Sequence, residues 1–348
     1  MAMNRADGEK RSRTLPFLLL AIGGIAMLCG ARRRLRRLDF RGLSVVITGG
    51  SRGLGLEIAR LFTQEGARVT LLARDADELS RAAAQLSRLG LSPLTLVCDV
   101  RNKEMVEQTV STILEKRRSI DVLINNAGVI QVAPFENLDL FDYQESVDIH
   151  AWGPLHLSRA VAPHMQGRKR GRIVNISSIG GAVGVPHLII PYSMGKFALT
   201  GLSEGFRAEL AKDGVLVTTV IPGLMRTGSH VNAVFKGQHR KEFAWFAISG
   251  ANPLLSTSAA RAAHRIVEAC RYGDARLIIT LPAVLLHFAN ALFPGLVAFG
   301  TGVAARLLPP PAPACDNARH TGRQSSSRLA PSLLTKPSDS MVSVNNEE

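Results

Sequence analysis

Apolar residues follow two alternating rhythms along this chain. Short unbroken runs rich in Val, Ile and Leu read as strands buried on both faces. They are Leu43–Thr48, Arg68–Ala73, Leu94–Cys98, Asp121–Asn125, Arg172–Ile176, Leu216–Ile221 and Arg276–Thr280. Between them apolar positions recur every three or four residues, as on one face of a helix. These stretches are Leu56–Gln64, 76–89, about 103–117, about 141–166, the run from Ile190 through Leu202, Phe206 and Leu210, and Ser258–Tyr272. A strand and helix recurring every ~25–30 residues is the signature of βαβ units and a parallel sheet. The pattern predicts an α/β fold: a Rossmann-type doubly wound parallel sheet of about seven strands, built as a single domain over residues 42–281.

Both flanks break that rhythm. Leu15 to Ala31 are uncharged and mostly apolar. As a helix they reach about 25 Å, against a hydrocarbon core of roughly 30 Å. Arg13 and Arg32 can extend their head groups to the two interfaces. Arg32, Arg33, Arg34, Arg36 and Arg37 follow at once, a cluster normally held in the cytoplasm. Residues 1–41 are therefore expected to be an uncleaved single-pass membrane anchor with its basic flank, leaving the sheet domain facing the cytoplasm. A cleaved signal peptide fits less well, because of that cluster. Bulky Met27 and Leu28 before Cys29 argue against a lipoprotein site.

At the other end no charge occurs between Arg276 and Arg306. Pro282 and Pro294 divide this stretch into pieces too short to span a membrane. Residues 282–308 read as an apolar helical extension lying in a membrane interface, or as a helix pair packed on the domain or on a partner subunit. From Pro309 onward, Pro-Pro-Pro, Ser325-Ser-Ser and Asn345-Asn-Glu-Glu predict a disordered tail, 309–348.

Charge changes the picture little. The net charge is +14, but residues 1–42 carry ten Lys/Arg against Asp7, Glu9 and Asp39, so half the excess is local. That placement suits a membrane flank better than a groove for a polyanion, and only 5% of residues are aromatic. No nucleic-acid partner is expected. The four cysteines, Cys29, Cys98, Cys270 and Cys315, are scattered without a CxxC pair, so no metal site is expected.

The chemistry lies at the carboxyl ends of the strands, where open α/β sheets bind ligands. The first strand runs into Thr48-Gly49-Gly-Ser51-Arg52-Gly53-Leu54-Gly55 and then a helix. Glycines let the backbone approach a pyrophosphate, and the helix amino end offers amides and a positive dipole. The second strand ends at Arg74, where an acid would bind a ribose 2′-hydroxyl and a base accommodates a 2′-phosphate. With Arg52 as a second cation, NADP(H) is the expected cofactor; the plainer reading of Arg74 is a solvated charge at the next helix. Asp99 follows the third strand, Asn125-Asn126-Ala127-Gly128 the fourth, Ser177-Ser178 the fifth and Pro222-Gly223 the sixth. Tyr192 and Lys196 stand four apart on one helix face. A phenol of pKa near 10 transfers protons poorly at neutral pH, and an adjacent cation favours phenolate.

Taken in order, these residues resemble the short-chain dehydrogenase/reductase family. The likeness covers roughly 42–281 and includes Pro222-Gly-x-x-x-Thr227. The resemblance implies that Tyr192 gives or takes the proton, that Lys196 lowers its pKa and holds the nicotinamide ribose, and that Ser178 positions the carbonyl oxygen. It also implies that Asp99 and the adjoining Val100 lie by the adenine, that Asn126 to Gly128 flank the cofactor, and that Thr227 reaches the carboxamide. The family has Asn three residues before a Gly in the helix after the fourth strand. Gly153 here points back to His150, which either keeps a proton relay as an imidazole or breaks it. At Gly195 Ser is common in the family, and little consequence is expected.

The segment after Thr227, about 228–257, holds Val231, Val234, Phe235, Phe243, Trp245 and Phe246 interrupted by Lys236, His239, Arg240 and Lys241. Such a lid suits a lipophilic substrate taken from a membrane surface, or simply packs on its own pocket. The layout resembles membrane-bound hydroxysteroid dehydrogenases and ketosphinganine reductases of the family. The expected function is NADP(H)-dependent interconversion of a lipophilic ketone or aldehyde with its alcohol, of steroid, sphingoid, retinoid or fatty-acyl type, by a homodimer or homotetramer. The competing class is a nucleotide-binding scaffold that keeps the fold without turnover.

Overall fold

The computed structural model describes residues 27–28, 30–186, 190–313 and 317–348. Its centre is one parallel sheet of seven strands: β1 (Ser44–Thr48), β2 (Arg68–Ala73), β3 (Leu94–Val97), β4 (Val122–Asn125), β5 (Gly171–Ile176), β6 (Val215–Pro222) and β7 (Arg276–Ile279). They lie side by side in the order β7-β6-β5-β4-β1-β2-β3. The order reverses at β1 and β4, whose Ile47 and Ile124 stand in register. That switch point opens a crevice at the carboxyl ends.

Helices cover both faces. α1 (Gly53–Gln64) and α2 (Ala76–Ser87) alternate with the first strands, and α3 (Lys103–Arg117) follows β3. α4 (Leu140–Val147) and α5 (Gly153–Gly167) lie between β4 and β5, and α6 (Ile190–Leu210) follows β5. Starts are fixed by short polar side chains: Asp75 accepts from the Glu78 N–H at 2.8 Å and Asn102 from the Met105 N–H at 2.8 Å. One core packs Leu56, Ile58, Phe62, Ile266 and Cys270 under Ile47, Leu71 and Ile124. The other packs Val106, Ile113, Leu157 and Val161 against Leu72, Leu123 and Ile173.

The helix expected over 141–166 is not continuous. α4 passes into a wide π turn, Asp148–Trp152, before α5 begins. One residue more per turn shifts the backbone hydrogen bonds, and such bulges gather at functional sites. His150 sits in this turn.

The expected lid forms a subdomain of its own. α7 (His239–Ala251) packs over a three-stranded patch of Gln131–Val132, Val234–Phe235 and His320–Thr321. Phe235, Phe243, Ala244, Ala247 and Ala330 close a small separate core there. α8 (Ala259–Tyr272) then leads to β7 and to two helices, α9 (Leu281–Leu292) and α10 (Pro294–Ala305). These last two stand away from the core. Leu281, Leu285, Phe288, Leu292, Leu296 and Phe299 are all exposed, and Ala283 alone of the two helices is buried.

The expected anchor, Leu15–Ala31, lies almost wholly outside the described residues. Among the described residues no helix is long and apolar enough to cross a membrane. The basic cluster behind it is tied to the domain. Arg33 bonds Asp274 at 2.7 Å and lies 4.0 Å over the Tyr272 ring. Arg172 holds the Arg36 carbonyl at 2.8 Å, and Leu38 and Phe40 are buried below the sheet.

The expected disordered tail is a correction. Residues 317–348 carry a strand, His320–Thr321, and two short helices, Lys336–Asp339 and Met341–Val344. Asn345, Asn346 and Glu347 are buried. Composition hid this because, apart from Ala330 in the small core under α7, the segment is held mainly by polar side chains.

Candidate active site

At the carboxyl ends of the strands a cavity of about 850 Å³ opens. The sheet places three loops around it: the turn after β1, the β4 end and the β5 end. Its lining gathers Gly49, Ser51, Arg52, Gly53, Leu54, Arg74, Asp99, Val100, Asn126, Ala127, Gly128, His150, Ser178, Tyr192, Lys196, Pro222, Gly223 and Thr227. Residues scattered over 179 positions of sequence thus face one space.

Two expected cofactor contacts, Thr48 and Gly55, are absent from the lining and build the turn instead. Thr48 Oγ1 accepts the Asn126 N–H at 2.9 Å and the Ala127 N–H at 3.0 Å, which ties the β1 end to the β4 end. A Cβ on Gly55 would meet the Gly49 carbonyl at 2.1 Å, so only glycine lets α1 start so close to the turn. Asn126 Nδ2 donates to the Thr48 and Gly49 carbonyls, both at 3.1 Å. Gly53 has φ +57, a conformation that favours glycine, and it opens α1, whose amino end is the kind of site that takes a phosphate. The cradle therefore fits a dinucleotide. Arg52 and Arg74 both line it, while burial pushes the Asp99 carboxyl up and Arg101, bonded at 3.0 Å, more than reverses this.

Tyr192 and Lys196 lie on the first turns of α6. The Lys196 ammonium is 5.4 Å from the Tyr192 ring centroid and donates to the Ile176 carbonyl at 2.7 Å. The strand end after β5 thus aims the lysine. Burial draws Lys196 down to about 7. Burial pushes the Tyr192 phenol up, opposed by a hydrogen bond with Ser178. Burial of both groups dominates here: it raises the phenol and lowers the ammonium. Ser178 Oγ also accepts the Gly180 N–H at 3.1 Å, which orients it toward the phenol. Ser177 turns inward to Thr200 and is structural.

His150 is fully buried and stands edge-on to Tyr192, with ring centroids 5.0 Å apart. Its Nε2 accepts the Val129 N–H at 3.2 Å. Its Nδ1 therefore carries the proton and faces Ser146 Oγ at 3.1 Å, which itself donates to the Pro191 carbonyl at 2.7 Å. Burial, with Lys196 nearby, holds the imidazole well below its ordinary range, so it is neutral. Both ring nitrogens are committed. His150 thereby pins the π turn to the loop after β4 and, through Ser146, to the start of α6. Gly195 also matters more than expected: a Cβ there would lie 2.9 Å from both His150 Cβ and the Ser146 carbonyl.

The substrate end of the cavity is lined by Val129, Ile130, Val185, Leu224, Met225 and Phe246. Polar residues not foreseen from the sequence also reach the cavity, among them Glu78, Asn232, Ser338 and Glu347. The first two had weak signals as a helix-face acid and a lid amide. The last two lie in the polar tail and had none.

Comparison with known proteins agrees with this geometry. A profile described as short chain dehydrogenase matches residues 44–236. A "Dehydrogenase/reductase SDR family protein 7-like" of Anopheles gambiae is 34% identical over 232 residues, covering 63% of this chain and 71% of that protein. "Dehydrogenase/reductase SDR family member 7B" of Mus musculus is 29% identical over 296 residues, covering 83% and 90%. Among solved structures, L-sorbose reductase from Gluconobacter frateurii, complexed with NADPH and L-sorbose, superposes with a TM-score of 0.62 at 27% identity, over 70% of this chain and 97% of that one. A short-chain dehydrogenase from Streptomyces avermitilis gives 0.64 at 28%, over 76% and 97%.

Proposed function

The chain belongs to the short-chain dehydrogenase/reductase family, and on that premise we propose that it is an NADP(H)-dependent oxidoreductase interconverting a lipophilic ketone or aldehyde with its alcohol. The observation that carries the reading is the joining of Ser178, Tyr192 and Lys196 to the glycine turn across one cavity. Ser51, Arg52 and Arg74 are the groups to hold a 2′-phosphate, with Lys196 for the nicotinamide ribose. The cofactor supplies or accepts the hydride.

The chain's own residues handle the proton. Ser178 donates to the substrate carbonyl oxygen and fixes it beside the Tyr192 phenol. In reduction the phenol gives its proton to that oxygen as the carbon becomes an alcohol; in oxidation it takes the proton back. Burial keeps the phenol protonated near neutral pH, which is the form that reduction draws on. Lys196, drawn down to about 7, lies close to the pH at which it can exchange protons.

The lipophilic substrate is supported by the apolar wall of Ile130, Val185, Leu224, Met225 and Phe246. A membrane surface is its proposed source. The uncharged helices α9 and α10, with Leu285, Phe288, Leu296 and Phe299 exposed, suit a lipid interface, with the catalytic domain on the cytoplasmic side. The test of the chemistry is Tyr192→Phe, assayed with NADPH and a panel of hydrophobic carbonyls. Turnover should vanish while NADPH binding stays within a few-fold of the parent chain; retained turnover would remove the phenol from the reaction.

A further inference from the structure

Asn345, Asn346 and Glu347 lie on the glycine turn, nearly 300 positions away in sequence. We propose that these residues are a tethered competitor of the dinucleotide, seated on the phosphate face of the turn until displaced. The proposal rests on the reading of the cavity as an NADP(H) site and concerns its regulation.

Three sets of contacts support it. The Gly53 N–H, at the amino end of α1, donates to the Asn345 carbonyl at 2.9 Å. Amides at that position are what a helix start offers a phosphate, and this one is taken. The Glu347 carboxyl lies against the bare face of Gly53: a Cβ there would be 2.7 Å from Oε1. Its Oε2 is 3.7 Å from Arg52 Nε and accepts from Asn232 Nδ2 at 2.7 Å. An acidic oxygen pair thus fills the approach that glycine leaves open, beside a cation meant for an anion.

The third set makes it a strap. Asn346 Nδ2 donates to the Ser51 carbonyl at 2.8 Å and the Glu78 carbonyl at 3.1 Å, while its Oδ1 accepts from Arg81 at 2.8 Å. Asn345 Nδ2 donates to the Thr227 carbonyl at 2.9 Å. The segment therefore crosses the slot from Ser51 in the turn to Thr227, beyond the end of β6. Asn346 adopts φ +55, a left-handed turn that Asn tolerates, and this aims its amide at the turn.

The seat is not a permanent one. Burial pushes the Glu347 carboxyl up to about 7, with Arg52, Asn232 and Arg323 drawing it down and Glu78 pushing it further up. A dinucleotide brings more negative charge and more acceptors to the same amides and cations. A clasp over a bound cofactor would turn its acid away from the phosphate-binding turn, whereas Glu347 lies against Gly53 and Arg52.

The test is NADPH titration by calorimetry on three proteins: the full chain, Asn345→Ala/Asn346→Ala/Glu347→Lys, and a chain ending at Ser340. Lysine at 347 opposes Arg52 and ejects the strap without shortening the chain. Both altered proteins should bind NADPH more tightly. A strap seated nine-tenths of the time weakens apparent affinity about tenfold. A synthetic peptide of residues 338–348 should compete with NADPH for the shortened chain. Equal or weaker NADPH binding by the altered proteins, with melting temperatures like the parent's, would overturn the strap. Binding of NADPH and NADH by none of the three would overturn the cofactor reading, and the strap with it.

Discussion

Lys196→Met should make the cofactor-free chain more stable near neutral pH. The lysine is 4% exposed, and its ammonium has the Ile176 carbonyl as a hydrogen-bond partner at 2.7 Å. Burial draws it from 10.5 to about 7. At about 1.4 kcal/mol per pH unit, that interval amounts to roughly 5 kcal/mol. The sign follows from proton counting. Between pH 7 and 10.5 the folded chain binds fewer protons than the unfolded one, so stability rises with pH across that window. Below pH 7 the penalty is complete. Methionine has similar length and no charge, but it leaves the Ile176 carbonyl without its donor, which costs about 1–3 kcal/mol. The variant should therefore gain about 2–4 kcal/mol at pH 6. The gain should shrink steadily above pH 7, vanish between about pH 8.5 and 10, and reverse beyond that as the lost Ile176 contact is left uncompensated. Urea unfolding of both chains at pH 6, 8 and 9.5 reads this directly. A variant less stable at pH 6, or a difference that does not change with pH, would refute the buried-ammonium account. Catalysis should be lost in the same variant, which makes the site a place where activity is held against stability.

Arg74→Gln should weaken NADPH about tenfold more than NADH, since a charge-assisted phosphate contact is lost from one cofactor alone; equal loss would show that Arg74 does not read the 2′-phosphate. His150→Ala should destabilise by about 2–4 kcal/mol, by stranding the Val129 N–H and opening a cavity beside Tyr192. His150→Asn should lose less. Because the imidazole is neutral in the fold, neither should move the pH profile of kcat above pH 6.5, and a displaced profile would restore a proton role. A chain lacking residues 1–37 should still float with liposomes through α9 and α10, and adding charge by Phe288→Asp/Phe299→Asp should release it; a soluble fraction holding all of the truncated chain would remove the lipid contact.

The sheet was readable because parallel strands are buried on both faces and therefore appear as unbroken Val, Ile and Leu runs. The glycine turn was readable because Gly49, Gly53 and Gly55 stand where a strand becomes a helix, and each has a steric reason to be glycine. Two features were not. The π turn at His150 changes the hydrogen-bond register without changing the spacing of apolar residues, so a periodic pattern over 141–166 reads as one helix. The strap was invisible for a different reason. Asn345 and Asn346 bury little apolar surface, and their value lies in matching backbone groups at Ser51, Gly53 and Thr227 that only the folded chain brings together. Lys196 shows a third limit. Its spacing from Tyr192 was plain, but the desolvation that lowers it depends on everything packed around it.

The small core beneath α7 has a kinetic consequence. Val132, Ala233, Phe235, Phe243, Ala244, Ala247 and Ala330 form a cluster distinct from the two that hold the sheet. The lid and the segment after residue 320 share that cluster, so they can detach together while the sheet stays intact. Their amides should exchange with solvent deuterium as one block, ahead of those in β1, β4 and β5. The rate of that opening, more than any barrier inside the sheet, would then set how quickly a spent cofactor leaves.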